Sequence, residues 1–427
     1  MKIFSRLRVV VLCALTGIVL AALGTVGPVQ RAIGQGMQQL FTLNGTEQVS
    51  LNYPCTVSCF ATSATLSAYG QSIAGGNAEN ALIGGDFGTN LFQDGTSVGS
   101  VSTTITYVAD QWAAWGGSTT VITGTQQTGA ADIPVSYAAS LRINKASGTG
   151  GTIPACVLQE ISSADSTKFQ SQTAEFDFHV KAGAGFSAAG SALNVSIVYG
   201  TGTDEGISKL AFAFNGGGGG SSTWAGQANA ASNIAVPITT TWTRYTVVAP
   251  IPATATELAV VICYTPVGNG GATDWFEFTG AQLVRNPSLT TAAGTSGALL
   301  AANAGNARSF ARRPASQEMA LQEAYYYLIP ETNGAYLAAG MVSATNVEVG
   351  VLHLPVTMRA VPTCAFTAGG LKWNLAGTNT AVGTLTCNSA STPSIVTIGD
   401  TVTATAGGAA FLNGSSTTGR IKVSARF

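Results

Sequence analysis

The clearest pattern in the chain is a period of two. In AEFDFHV, Phe176, Phe178 and Val180 fall on one side while Glu175, Asp177 and His179 fall on the other, the alternation of a half-buried strand. DWFEFTG repeats it, with Phe276 and Phe278 opposed to Trp275 and Glu277. ELAVVICY (257–264) and KLAFAF (209–214) are apolar without interruption, which predicts strands lying deep between two sheets. Such runs, broken by Gly/Ser/Thr turns, fill residues 79–288 and predict a β-sandwich. The segment 215–232, NGGGGGSSTWAGQANAAS, predicts a long loop, because consecutive glycines hold regular structure poorly.

The flanks read differently. Lys2, Arg6 and Arg8 precede an uncharged run from Val9 to Gln30, the order of a secretory signal and close to the length of a membrane anchor. A short buried helix or a docking peptide is the alternative for residues 1–30. Residues 31–78 hold two strand-like runs and the pair Cys55 and Cys59, and read as a short β or attachment region. After the sandwich, the Ala/Gly-rich stretch 289–315 reads as a linker. SQEMALQEA predicts a helix with Ser316 as N-cap and Glu318 in its first turn. Strands return from YYYLI to RIKVSARF, so residues 316–427 form a short helix plus a smaller β domain. The fold class is all-β.

Composition narrows the function. Only 9% of the 427 residues are charged, against roughly 25% in an average soluble domain, and the net charge is −1. Such a surface has no electrostatic footprint for nucleic acid. The two histidines, His179 and His353, exclude a His-rich metal enzyme. A glycosidase needs two carboxylates flanking the scissile bond; Asp204/Glu205 and Glu175/Asp177 are the available pairs, read here as a polar turn and a solvated strand face. No G-x-S-x-G elbow and no phosphate loop occurs, so the chain reads as non-catalytic, with no catalytic residue assigned. Beyond Cys13, six cysteines allow three disulfides in an exported protein, or stay reduced in a cytoplasm.

Three phrases carry a family likeness: ALIGGDFGTNLFQDGTS with YVADQWAAWGG, TTTWTRYTVVAPIP with FEFTGAQLV, and FARRPASQEMALQEAYYY leading to LPVTMRAVPT. In this order they resemble the distal modules of bacteriophage tail-fibre and receptor-binding proteins. The resemblance implies a jelly-roll sandwich similar to a carbohydrate-binding module, then a short helix and a C-terminal β tip. It also implies a virion location, a homotrimer, contacts with other virion or tail proteins through the N-terminal region, and attachment to bacterial surface polysaccharide. Two features depart from the family: the long Ala/Gly linker and the signal-like N-terminus. The second favours an exported or membrane-anchored bacterial glycan-binding protein, and a decoration or filament subunit without glycan binding is a further alternative.

Sugars stack their C–H faces on aromatic rings and exchange hydrogen bonds with polar side chains. Of the six tryptophans, Trp112, Trp115 and Trp242 read as core. The glycan-binding candidates are Trp224 with Gln227 and Asn229 in the Gly-rich loop, Trp275 beside Glu277, and Trp373. No cofactor is expected. A structural Ca²⁺, which modules of the resembled type often hold, is placed at Asp86 and Asp274 by the resemblance.

Overall fold

The computed structural model describes residues 80–427 except 89–91, 118, 130–132, 135, 147–151, 211–223, 269, 287–296, 301–307, 331–333, 344–345, 367–369, 376, 389–390, 402–405, 416–419 and 427; of residues 1–79 it describes the backbone of four strands. The chain forms two units, Met1–Ala78 and Glu79–Phe427. In the first, Val9–Ala14 pairs with Gly17–Ala22, and Gln48–Ser50 with Phe60–Thr62, both antiparallel. The rest of the signal-like segment, with Cys55 and Cys59, lies outside the described residues. Among the described residues no helix is long and apolar enough to cross a membrane.

The second unit is all-β and contains a sandwich. One sheet has six strands in the order Ala228–Pro237, Ala192–Gly200, Glu257–Tyr264, Ala155–Ile161, Ala113–Trp115 and Thr106–Tyr107. The other has seven: Ala298–Leu300, Thr243–Pro250, Thr173–Ala182, Trp275–Arg285, Ser140–Lys145, Ile122–Gln127 and Ser97–Val101. The alternation explains the packing. Phe176, Phe178, Val180, Phe276, Phe278 and Leu283 point inward and meet Val157, Val195, Ile197, Val260 and Ile262 of the six-stranded sheet in one buried cluster. Aromatic edges lock it, with Phe278 against Phe87 at 5.0 Å and Trp112 at 5.3 Å between ring centroids. Trp112 and Trp115 belong to the interior, as expected.

Three expectations are corrected. ELAVVICY is not confined between two sheets. It runs through the six-stranded sheet, and its second face (Ala259, Val261, Cys263) forms a separate apolar cluster with Leu158, Ile207, Leu210 and Trp224. KLAFAF does not begin as a strand, since Ile207–Lys209 is a 3₁₀ turn; residues 211–214 lie outside the described residues. The Ala/Gly stretch is not wholly a linker, because Ala298–Leu300 adds to the edge of the seven-stranded sheet beside Thr243–Pro250.

The helix spans Ala315–Glu323 with Pro314, not Ser316, at its N-cap and no side-chain cap. Glu318 instead accepts from the Gly84 amide and pairs with Arg313 at 2.9 Å. Beyond it lie a three-stranded and a seven-stranded sheet, with their own core around Trp373, Val396, Ile398, Leu412, Ile421 and Val423. This part is joined to the sandwich by paired polar groups. The Arg426 guanidinium stacks on Tyr107 and Tyr326, 4.1 and 3.7 Å from their centroids, and lies 3.7 Å from Asp110. Lys422 reaches Asp94 at 2.8 Å. Two disulfides are present among the described residues, Cys156–Cys263 and Cys364–Cys387; the first joins directly opposed residues of neighbouring strands.

Candidate functional site

The outer face of the seven-stranded sheet gathers the chemistry. The alternation that turns Phe176, Phe178 and Val180 inward turns Glu175, Asp177, His179 and Lys181 to the other face, and the same rule places Trp275 and Glu277 on that face from one neighbour and Ser140 and Arg142 from the next. Register aligns Lys181 with Glu277 and Glu277 with Arg142, a row of charges across three strands. The Glu277 carboxylate is fully buried. It accepts from the Ser140 hydroxyl and from Arg142 through Nε at 3.0 Å and Nη2 at 2.8 Å, with Lys181 Nζ 4.0 Å away.

Aromatic rings frame that row. The Arg142 guanidinium lies 4.1 Å from the Trp275 ring centroid. Lys181 Nζ lies between two indoles, 5.1 Å from the centroid of Trp242 and 5.5 Å from that of Trp275, a cation–π arrangement. Trp275 settles onto the sheet because residue 183 is glycine: a Cβ there would meet the indole Cε2 at 2.7 Å. Tyr137 uses the same device at Gly280, where φ is +63° and a Cβ would meet the phenol ring at 2.5 Å. Tyr137 also contacts the His179 ring, with centroids 5.2 Å apart. Trp242 Nε1 and His179 Nδ1 find no hydrogen-bond partner among the described residues. Burial, and then the Arg244 guanidinium, push the imidazole of His179 down to about 4, so it is neutral at pH 7.

The other half of this face is closed. Residues 308–311 cross it, with the Arg308 amide donating to Glu175 at 2.7 Å and the Ala311 amide to Gln282 at 2.8 Å. Asp177 pairs with Arg244 at 3.0 Å and accepts from Thr246 and Gln282. Burial, reinforced by Asp177, raises Glu175 to about 8. The Glu175/Asp177 pair is therefore a sealed structural network with no access for a glycosidic bond, and not the solvated strand face read from the sequence.

The residues singled out from the sequence do not converge. Trp224 is 1% exposed, and its indole donates to Gly206 O at 3.0 Å; it anchors a loop on the six-stranded sheet and offers no ring face to a sugar. Gln227 and Asn229 are half-buried beside it, Asn229 donating to Ser232 at 3.3 Å. Trp373 is 0% exposed and donates to Asp400 at 2.8 Å, inside the C-terminal core. Trp275 does lie on the outer face, half-buried, but Glu277 beside it is the buried counter-ion of Arg142 and not a sugar contact. Asp86 faces Arg312 at 3.4 Å, and Asp274 is saturated by Ser187 and Tyr264. Neither carboxylate fits a Ca²⁺ cage, and among the described residues no group of three or more His, Cys, Asp or Glu is placed to hold a metal.

Sequence reasoning passed over Arg142, Lys181, Tyr137 and His179 as site residues and placed Trp242 in the core. A signal was present: carrying the alternation of AEFDFHV one residue further puts Lys181 outward, and SLRINK puts Arg142 outward by the same rule.

No protein-family profile matches the chain, and no curated protein matches it. Among solved structures it is similar to the CBM22-1 xylan-binding domain from Paenibacillus barcinonensis Xyn10C, with 11% identity, 44% of this chain and 92% of that one covered, and a TM-score of 0.26. A putative sugar binding protein from Bacteroides thetaiotaomicron gives 13% identity, 49% and 100% coverage, and a TM-score of 0.26. A structure of CBM4 gives 16%, 34%, 71% and 0.22. Scores this low carry no argument. The site rests on its geometry.

Proposed function

We propose that the protein is a non-catalytic glycan-binding protein whose site is the open half of the seven-stranded sheet's outer face. The observation that carries this reading is the meeting of the half-buried rings of Trp275, Trp242 and Tyr137 with Lys181, Arg142 and His179 on the outer face of one sheet, where the buried Trp242 Nε1 and His179 Nδ1 have no hydrogen-bond partner among the described residues. Aromatic surface flanked by polar groups suits sugar rings. The sealed Glu175/Asp177 network supports a binding role over hydrolysis there.

The three phrases similar to tail-fibre modules support a trimeric virion subunit that attaches to bacterial surface polysaccharide. A second reading, an exported or membrane-anchored glycan-binding protein, is favoured by the two disulfides, which form and persist in oxidising compartments. The test is binding of the full chain to intact bacteria and to their extracted polysaccharides, with native mass and free-thiol content measured on the same sample. Saturable binding that free polysaccharide competes away, weakened by Trp275→Ala, is the expected result. A folded oligomer that binds no glycan overturns the reading and leaves a scaffold subunit.

A further inference from the structure

We infer that the protein recognises the end of a glycan chain, and that a small cavity beside the open face receives the terminal sugar. The inference rests on the glycan-binding reading above and names the part of the polymer that the site takes. Its basis is a cavity of about 120 Å³ whose lining includes Asp86, Phe310, Arg312, Arg313 and Glu318. All the lining residues except Asn80 come from the phrases ALIGGDFG and FARRPASQE.

Tyr137 joins this cavity to the open face. Its ring centroid lies 5.2 Å from that of His179 and 5.3 Å from that of Phe310, with the Arg312 guanidinium 5.8 Å away. The segment that carries Phe310 closes the other half of the face, so a chain running from Trp275 past Tyr137 meets that segment and stops. Size sets the occupant. A cavity of about 150 Å³ holds one benzene ring, so this one admits a single six-membered ring and not two.

The two ion pairs of the lining differ. Arg313 and Glu318 are fixed: they pair at 2.9 Å with side chains 7% and 12% exposed, and Arg313 also donates to Leu82 O and Asn80 O. Arg312 is held by Ser136 O through Nη2 at 2.6 Å, while its Nη1 faces Asp86 at 3.4 Å. That separation is longer than a good hydrogen bond, and a solvent-exposed pair of this kind contributes little to stability. Both groups can therefore turn to a ligand. A guanidinium that donates beside a carboxylate that accepts matches sugar hydroxyls, which do both, and Phe310 supplies an apolar wall for the ring.

The test uses the full chain with linear bacterial capsular and O-polysaccharides, each partly hydrolysed and separated into chains of short and long mean length. Calorimetry gives the number of binding sites occupied per chain. End recognition predicts one site per chain at every length. Arg312→Ala should lower affinity about 10-fold or more, and Asp86→Asn, which keeps an accepting oxygen, should lower it less. Borohydride reduction of the reducing end tells the two termini apart: lost binding assigns that terminus to the cavity, and retained binding assigns the opposite one. A stoichiometry that grows with chain length overturns the inference while leaving the glycan-binding reading intact, as does undiminished binding by Arg312→Ala. Failure of the folded chain to bind any of these polysaccharides removes both.

Discussion

The sandwich has two outer faces, and each carries tryptophan, yet they have opposite fates. On the six-stranded sheet the outward positions are Cys156, Leu158, Ala259, Val261 and Cys263; the turn Ile207–Lys209, Leu210 and Trp224 close over them. On the seven-stranded sheet the outward positions are charged, and Trp275 and Trp242 stay half-buried among Lys181 and Arg142. An indole follows its neighbours: beside aliphatic side chains it completes a core, and beside ionised ones it remains at the water boundary, where its edge or face can meet a ligand.

The largest effects should come from breaking the buried partners on each side. Glu277→Ala would leave Arg142 and Lys181 facing each other without their shared carboxylate and should cost about 3–5 kcal/mol in chemical unfolding. On the covered face, Trp224→Ala empties a full indole site and should cost about 3–5 kcal/mol while leaving glycan affinity unchanged in the molecules that remain folded. If Trp224→Ala instead removed binding with no loss of stability, the two faces would have been assigned the wrong way round.

Cys156→Ala with Cys263→Ala removes a bridge spanning 107 residues on the covered face, and should cost about 2–5 kcal/mol by the same measurement. A smaller loss would mean that strand pairing alone holds that sheet.

The pH dependence sharpens the comparison further, because each face hides a carboxyl. Burial, then Glu257, raises Glu160 on the covered face to about 9; burial, then Asp177, raises Glu175 under the crossing segment to about 8. Both hold in the fold a proton that the unfolded chain releases near 4.5. Their contribution is thus complete below that value and is lost as pH climbs towards 8 and 9. His179 has the opposite sign: lowered to about 4 from 6.5, it contributes fully above 6.5 and loses that contribution as pH falls towards 4. The melting temperature should therefore be lower at pH 9 than at pH 6, and Glu160→Gln should flatten the decline. A decline of unchanged steepness in that variant would remove Glu160 from the account.

The smallest stability effect belongs to the open face. Trp275→Ala should cost under about 1 kcal/mol, yet lower glycan affinity about 10-fold or more.

Much of this architecture could be read from residue order. The alternation in AEFDFHV and DWFEFTG placed each side chain on its correct side, and the helix and the following strand appeared where SQEMALQEA and YYYLI predict them. What could not be read was which outward residues meet. Glu277 points outward by pattern but is buried by Arg142 and Ser140, which arrive from a strand more than a hundred residues earlier. The error at Trp224 has a different cause. Its Gly-rich surroundings suggested a solvent loop, whereas the unbroken apolarity of ELAVVICY already required a cover for the second face of that strand. The phrases FARRPASQEMALQEAYYY and FEFTGAQLV prove to be joints: Gln282 receives Ala311, Arg313 holds Leu82 O and Glu318, and Gln322 donates to Asp110.

The most direct test of the central claim is oxidative footprinting of the tryptophans in the full chain, with and without saturating bacterial polysaccharide. Binding at the open face predicts protection of Trp275 and Trp242 on saturation, with Trp224 unreactive in both states. Saturable binding that leaves Trp275 and Trp242 as reactive as in the free protein would contradict the account and place the glycan elsewhere.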